Sequence, residues 1–185
     1  AVLNNYRNGV VYALAAIVAA VMTFLPYNAI FHRGLEVTFL DVGEGDCAFI
    51  RTGGGRSVLI DTGCGGDGAG FDAGESIVAP FLLDKGIGCV DLVVLTHGHA
   101  DHTGGLTSIV ERIRVKSMMA GESEELLAVR ELGKSKGMKL LNPSSGERIY
   151  LDRETFLEVI SAGEDFASEE GQSACNNSSY VIRLR

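Results

Sequence analysis

Residues 91–105 read DLVVLTHGHADHTGG, and they hold three of the chain's four histidines. The first half is a short apolar run of the kind that forms a buried strand; the second half is polar and closes on two glycines. A buried strand that ends in a turn delivers its side chains to the carboxyl edge of a sheet, where ligand sites of α/β proteins lie. His97 and His99, two apart on an extended turn, can point the same way, and Asp101 and His102 follow at the mouth of the next helix. Imidazole nitrogen and carboxylate oxygen are donors that zinc, manganese and iron accept. Solvated turn histidines are the plain alternative, and the gathering of four donors in six positions argues against it.

On either side, the pattern predicts alternating strands and helices. LEVTFLDV (35–42), CAFIRT (47–52) and RSVLIDTG (56–63), separated by GEGD and GGG, read as a meander of three strands with apolar and polar positions alternating. ESIVAPFLLDKG (75–86) has helical spacing and a glycine stop. GLTSIVERIR predicts a helix, VKSMMA a strand, SEELLAVRELGKSKG a helix capped by Ser123, and MKLL a strand. Further strands are expected near 148–151, 155–160 and 179–184, with a polar surface loop between the last two.

Composition sets limits. At 185 residues and 46% hydrophobic, the chain fits one well-filled domain plus an appendage. A formal net charge of −8 excludes a surface built throughout to neutralise phosphates, so an anionic substrate would need local positive charge such as bound cations. Cys47, Cys64, Cys89 and Cys175 form no CxxC pair and read as ordinary buried thiols. The appendage is GVVYALAAIVAAVMTFL, 9–25, uncharged and ended by Pro26, and it reads as a transmembrane helix; a signal peptide or a core helix are the alternatives. His32 beside it reads as interfacial. The expected organisation is a lead-in and membrane helix over 1–33 and a domain over 34–185.

THGHADH resembles the HxHxDH signature of the metallo-β-lactamase superfamily, and LIDTG resembles its upstream strand ending in aspartate. More narrowly, LEVTFLDVGEGDCAFIRTGGGRSVLIDTG, DLVVLTHGHADHTGGL and NNSSYVIRL resemble the C-terminal domain of the ComEC competence family, which serves DNA uptake; the likeness spans 35–185. It implies an αββα sandwich with two divalent metal ions, zinc or manganese. His97 and His99 would hold the first and Asp101 and His102 the second, while Asp61 orients a ligand or the nucleophilic water. Asp61 and Asp101 are then the catalytic carboxylates. Metal coordination lowers the pKa of water from about 15.7 towards 7, and paired cations can stabilise a departing phosphodiester oxygen. That reading makes the chain a metal-dependent nuclease acting on single-stranded DNA, attached to a membrane on its exoplasmic side beside other domains of a longer protein and the competence machinery.

In DVGEGD, Asp41, Gly43, Gly45 and Asp46 either approach this site or form a glycine-rich turn that satisfies its own backbone. TGCGGDGAG (62–70) is a substrate lip or a solvated loop, and lacks the GK[ST] of a phosphate-binding P-loop. No histidine follows His102, and the late position of one family ligand is held by Asn176 and Asn177. The sequence therefore predicts a domain cut short at its C-terminus, with late ligands beyond Arg185. A different metallo-β-lactamase-type hydrolase of a lactam, thioester or phosphodiester, and a DNA-binding module that does not cut, are the alternatives.

Overall fold

The computed structural model describes residues 8–21, 34–65, 70–162 and 179–185. The chain forms two compact units, 1–34 and 35–185. In the first, residues 8–21 form helix α1, exposed along its described length. At 1.5 Å per residue the described part spans roughly 21 Å. Residues 22–25 of the expected span lie outside the described residues, and among the described ones no helix is long and apolar enough to cross a membrane. The transmembrane expectation is not shown by the described residues.

In the second unit, strands β1 (Glu36–Phe39), β2 (Ala48–Arg51) and β3 (Ser57–Ile60) form the antiparallel meander. Then β4 (Cys89–Val94), β5 (Arg114–Met119) and β6 (Lys139–Leu141) extend the same sheet in parallel, giving the order β1-β2-β3-β4-β5-β6. Helices supply the crossovers. Helix α2 begins as a π-helical turn, Gly74–Val78, and continues as Ala79–Asp84, with Pro80 just past the junction of the two. A four-residue turn α3 (Ala100–Thr103) leads into α4 (Leu106–Arg112). Helix α5 (Leu127–Ser135) is entered through a 3-10 turn, Glu124–Leu126. Ser123 stands at that entry in extended backbone, but its hydroxyl makes no cap bond, which corrects the expected capping.

Strands β7 (Arg148–Tyr150), β8 (Phe156–Ser161) and β9 (Val181–Leu184) form a separate antiparallel sheet. Two cores follow. Phe49, Leu59, Val93, Leu95 and Met118 meet Val78, Leu82, Leu106 and Ile109 of the helices. Ile50, Val58, Leu92, Val94 and Met119, from the same sheet, meet Leu157 and Val159 of the second sheet. Each such side chain contributes roughly 1.5–3 kcal/mol on full burial. Three layers of an αββα sandwich are therefore present among the described residues: helices, mixed sheet and second sheet.

The edge strand β1 departs from the sequence reading. Its apolar residues Val37 and Phe39 are 42% and 82% exposed, whereas Glu36 and Thr38 are half-buried. Val37 is paired opposite Ile50 and so shares its face. Ile50 is 5% exposed and packs with Leu157 and Val159 of the second sheet.

Candidate metal centre

Strands β3 and β4 run parallel, so their carboxyl ends lie side by side and deliver Asp61 and the 95–102 turn to one sheet edge. Asp61 is buried and adopts a left-handed backbone, φ 56°, a conformation that Asp tolerates better than most residues. Its amide donates to the Val94 carbonyl at 2.8 Å. Its carboxylate accepts from the Thr96 amide at 2.8 Å, from the Thr96 hydroxyl at 2.7 Å, and lies 2.9 Å from His102 Nδ1. The Thr62 amide and hydroxyl both donate to the His102 carbonyl, at 2.7 and 2.9 Å. Asp61 is thus a fixed acceptor that orients the His102 ring.

The three imidazoles cluster. The His97 ring centroid lies 4.0 Å from that of His102 and 4.8 Å from that of His99. His97 Nδ1 is 3.0 Å from the Thr96 hydroxyl, and His102 Nε2 is 3.6 Å from an Asp101 carboxylate oxygen. The hydrogen bond that His102 donates to Asp61, reinforced by the negative charge around it, raises the His102 pKa. Burial, together with the neighbouring His102, lowers that of His97. The pair is therefore polarised, with His97 favouring the neutral form.

An imidazole whose Nδ1–H donates to a carboxylate offers its Nε2 lone pair to a metal, and such outer partners fix ring orientation. His102 has that arrangement with Asp61, and the Thr96 hydroxyl restrains His97 in a similar way. The donor chemistry fits a divalent cation. Among the described residues, however, no three His, Cys, Asp or Glu donors close around one point.

The DVGEGD residues divide. The Asp41 carboxylate accepts from the Gly43 amide at 3.4 Å in a local turn, with Gly43 at φ 77°. Asp46 instead lines, with Asp61, His97 and His102, a cavity of about 570 Å³, and its carbonyl accepts from the Gly63 amide at 3.0 Å. Gly45, at φ 98°, lies so close to the histidine turn that a Cβ there would stand 1.8 Å from the Asp101 carbonyl oxygen. Cys47 lines the same cavity; burial, and then the charges of Asp61 and Asp46, push its thiol pKa up to about 12, which makes it inert. Asn176, Asn177, His32 and residues 66–69 of the proposed lip lie outside the described residues.

Sequence reasoning passed over Thr96, Tyr180 and Phe39. Thr96 is the hydrogen-bonding hub, and its place directly before His97 was the available signal. The Tyr180 amide donates to the Thr96 carbonyl at 2.8 Å, and its hydroxyl to Asn142 at 2.8 Å. Phe39 walls the cavity opposite the histidines' loop and carries no motif that would mark it.

Residues 40–170 match the model of the metallo-beta-lactamase superfamily. ComE operon protein 3 of Bacillus subtilis (strain 168) is 34% identical over 165 residues, covering 80% of this chain and 20% of that protein. The chain thus spans about a fifth of the length of that relative. Among solved structures, CmlA, a diiron beta-hydroxylase from Streptomyces venezuelae, aligns with TM-score 0.50 at 18% identity over 81% of this chain and 27% of CmlA. A diphosphatase of the PhnP family aligns with TM-score 0.45 at 23% identity over 75% of this chain and 48% of its own. The strand-borne Asp61, the HGHADH turn and the match over most of the second unit agree: the chain belongs to the metallo-β-lactamase superfamily and is related to ComE operon protein 3.

Proposed function

We propose that this domain is a metal-dependent phosphodiesterase that cleaves DNA, single-stranded in preference, within a membrane DNA-uptake protein. The observation that carries this reading is the clustering of His97, His99 and His102 beside Asp101, with Asp61 holding the His102 ring by its Nδ1. The relation to ComE operon protein 3 supports the DNA-uptake setting. His97, His99, Asp101 and His102 would hold one or two divalent cations, zinc or manganese. Such cations supply Lewis acidity and positive charge at the scissile phosphate.

The chain's own residues do the rest. Asp61 and Thr96 keep His102 and His97 in fixed orientations, with one ring nitrogen of each tied to the protein. Asp101, more exposed than Asp61, can accept a proton at its carboxylate beside His102 Nε2. The cavity walled by Phe39, Ala48 and Ile60 gives the substrate an apolar side and limits water. The apolar stretch 9–25 would attach the domain to a membrane.

The test is manganese- or zinc-dependent cleavage of labelled single-stranded DNA by the 185-residue chain, compared with Asp101→Ala and His102→Ala. Each variant is expected to lose at least 100-fold in rate. Equal cleavage by wild type and both variants, or none with metal bound and the fold intact, would remove the nuclease assignment.

A further inference from the structure

At the other end of the same sheet, three cations gather in a protein whose net charge is −8. Arg51 ends β2, Arg56 precedes β3, and Lys116 lies on β5. Arg56 Nη1 and Lys116 Nζ share one oxygen of Asp91, at 3.0 and 2.6 Å, which keeps the two cationic heads within about 6 Å of each other. The second Asp91 oxygen accepts from the Ser57 amide at 3.0 Å. The carboxylate is therefore fully engaged, while both cations remain about half exposed. With Arg51 they line a polar pocket of about 430 Å³ whose floor includes the glycine turns at Gly54–Gly55 and Gly86–Gly88. Among the lining residues three cations face one carboxylate, with the Asp152 carboxylate on the Gly54 amide beside them. Strand geometry puts Asp91 roughly 16 Å from Thr96, so this pocket is remote from the histidines.

Arg56, Asp91 and Lys116 also wall a second pocket of about 250 Å³ on the adjoining side. Its character is different: Leu92, Leu141 and Ile149 line it together with Tyr150, which is 67% exposed and whose ring centroid lies 5.5 Å from that of Phe156. A bipartite cleft results, cationic on one side and apolar with an exposed aromatic on the other. Guanidinium and ammonium groups bind phosphoryl oxygens, and a tyrosine face stacks a nucleobase.

We infer that this cleft binds a nucleoside phosphate unit, the phosphate against Arg51, Arg56 and Lys116 and the base against Tyr150. A free nucleotide and one nucleotide of a DNA strand present the same chemistry. The inference is independent of the metal centre and stands or falls separately from it.

The full 185-residue chain, kept free of divalent metal with chelator, would be titrated with thymidine monophosphate, inorganic phosphate and a hexathymidylate strand while its backbone amide resonances are followed. Saturating shifts are expected at Gly54, Gly55, Gly88 and Tyr150, with the amides of 97–105 unmoved. Arg51→Gln and Tyr150→Ala, which leave the Asp91 ion pairs in place, should each weaken thymidine monophosphate at least fivefold, and Tyr150→Ala should leave inorganic phosphate binding unchanged. No shifts at these amides, shifts confined to 97–105, or equal binding of thymidine monophosphate and inorganic phosphate would overturn the inference. Within a supporting result, hexathymidylate binding more than tenfold tighter than the monophosphate assigns the site to a strand, and equal binding assigns it to a free nucleotide.

Discussion

Asp61 concentrates constraint in a single residue. Its left-handed backbone, its bonds to both Thr96 donors and its contact with His102 Nδ1 hold it in one rotamer and hold the ring in one orientation. Left-handed backbone in a residue with a side chain costs roughly 1–3 kcal/mol, so surrounding bonds must maintain it. Asn keeps the shape and the tolerance for this backbone but removes the charge that stabilises the imidazole. Asp61→Asn is therefore expected to stay folded and to bind zinc roughly 10–100-fold more weakly, the usual effect of losing a partner behind a ligand. Calorimetric titration of zinc into the two proteins checks it; undiminished affinity would mean that Asp61 does not act through His102.

Asp152 shows the same principle in a purely structural role. A hydrogen bond from the buried Thr52 hydroxyl, followed by backbone amides of Glu154 and Thr155, holds its carboxyl well below the usual carboxylate range. It also accepts from the Gly54 amide at 3.2 Å, joining a turn of the first sheet to a turn of the second. A depressed folded-state pKa stabilises the fold above the unfolded value, near 3.9, and that contribution disappears as pH falls through and below it towards the folded value. Denaturant midpoints measured between pH 6 and pH 2 should fall with acid in the wild type. Asp152→Asn should be less stable at pH 6 and show a smaller decline.

At the scale of elements, the approach of the DVGEGD turn to the histidine turn is the tightest feature of the site edge. A Cβ at Gly43 would meet nothing within 4 Å, whereas one at Gly45 would collide with the Asp101 backbone. Gly43→Ala should therefore cost only the left-handed penalty of about 1–2 kcal/mol. Gly45→Ala should cost about 3 kcal/mol or more, since overpacking adds roughly 1–3 kcal/mol, and it should weaken metal binding by displacing Asp101. Urea unfolding of both variants, with zinc titration alongside, separates the two effects.

Much of this level was legible beforehand. Runs such as SVLI and CVDLVV announce strands by length and β-branching, and DTG and HGHADH mark where they end, so the gathering of Asp61 with the histidines follows from two parallel strands ending together. What the sequence hid has physical causes. Burial in β1 depends on what covers its face, which no local alternation encodes, so Val37 and Phe39 stay exposed. The closeness of Gly45 to Asp101 joins residues 56 positions apart, and a glycine in a turn looks the same whether or not another backbone lies against it. Thr96 has ordinary strand-end character until Asp61 is placed beside it.

At the scale of the whole molecule, the donors come from one half of the architecture. Asp61, His97, His99, Asp101 and His102 lie on the mixed sheet and its helical connections, anchored by Phe49, Leu59, Val93 and Leu106. Among the described residues, the Tyr180 amide just before β9 ties the second sheet to the Thr96 carbonyl. Local openings in proteins follow such cooperative boundaries. The three-stranded sheet can then detach as a unit while the imidazole cluster persists. Native-state hydrogen exchange should show amides of Leu157 and Val159 opening at lower free energy than those of Asp61 and Thr62. Coincident opening would mean that the two sheets form one cooperative unit. If the halves do open separately, the imidazole cluster forms before the second sheet docks, and a divalent cation that bound these histidines would favour the half-assembled chain as well as the finished one.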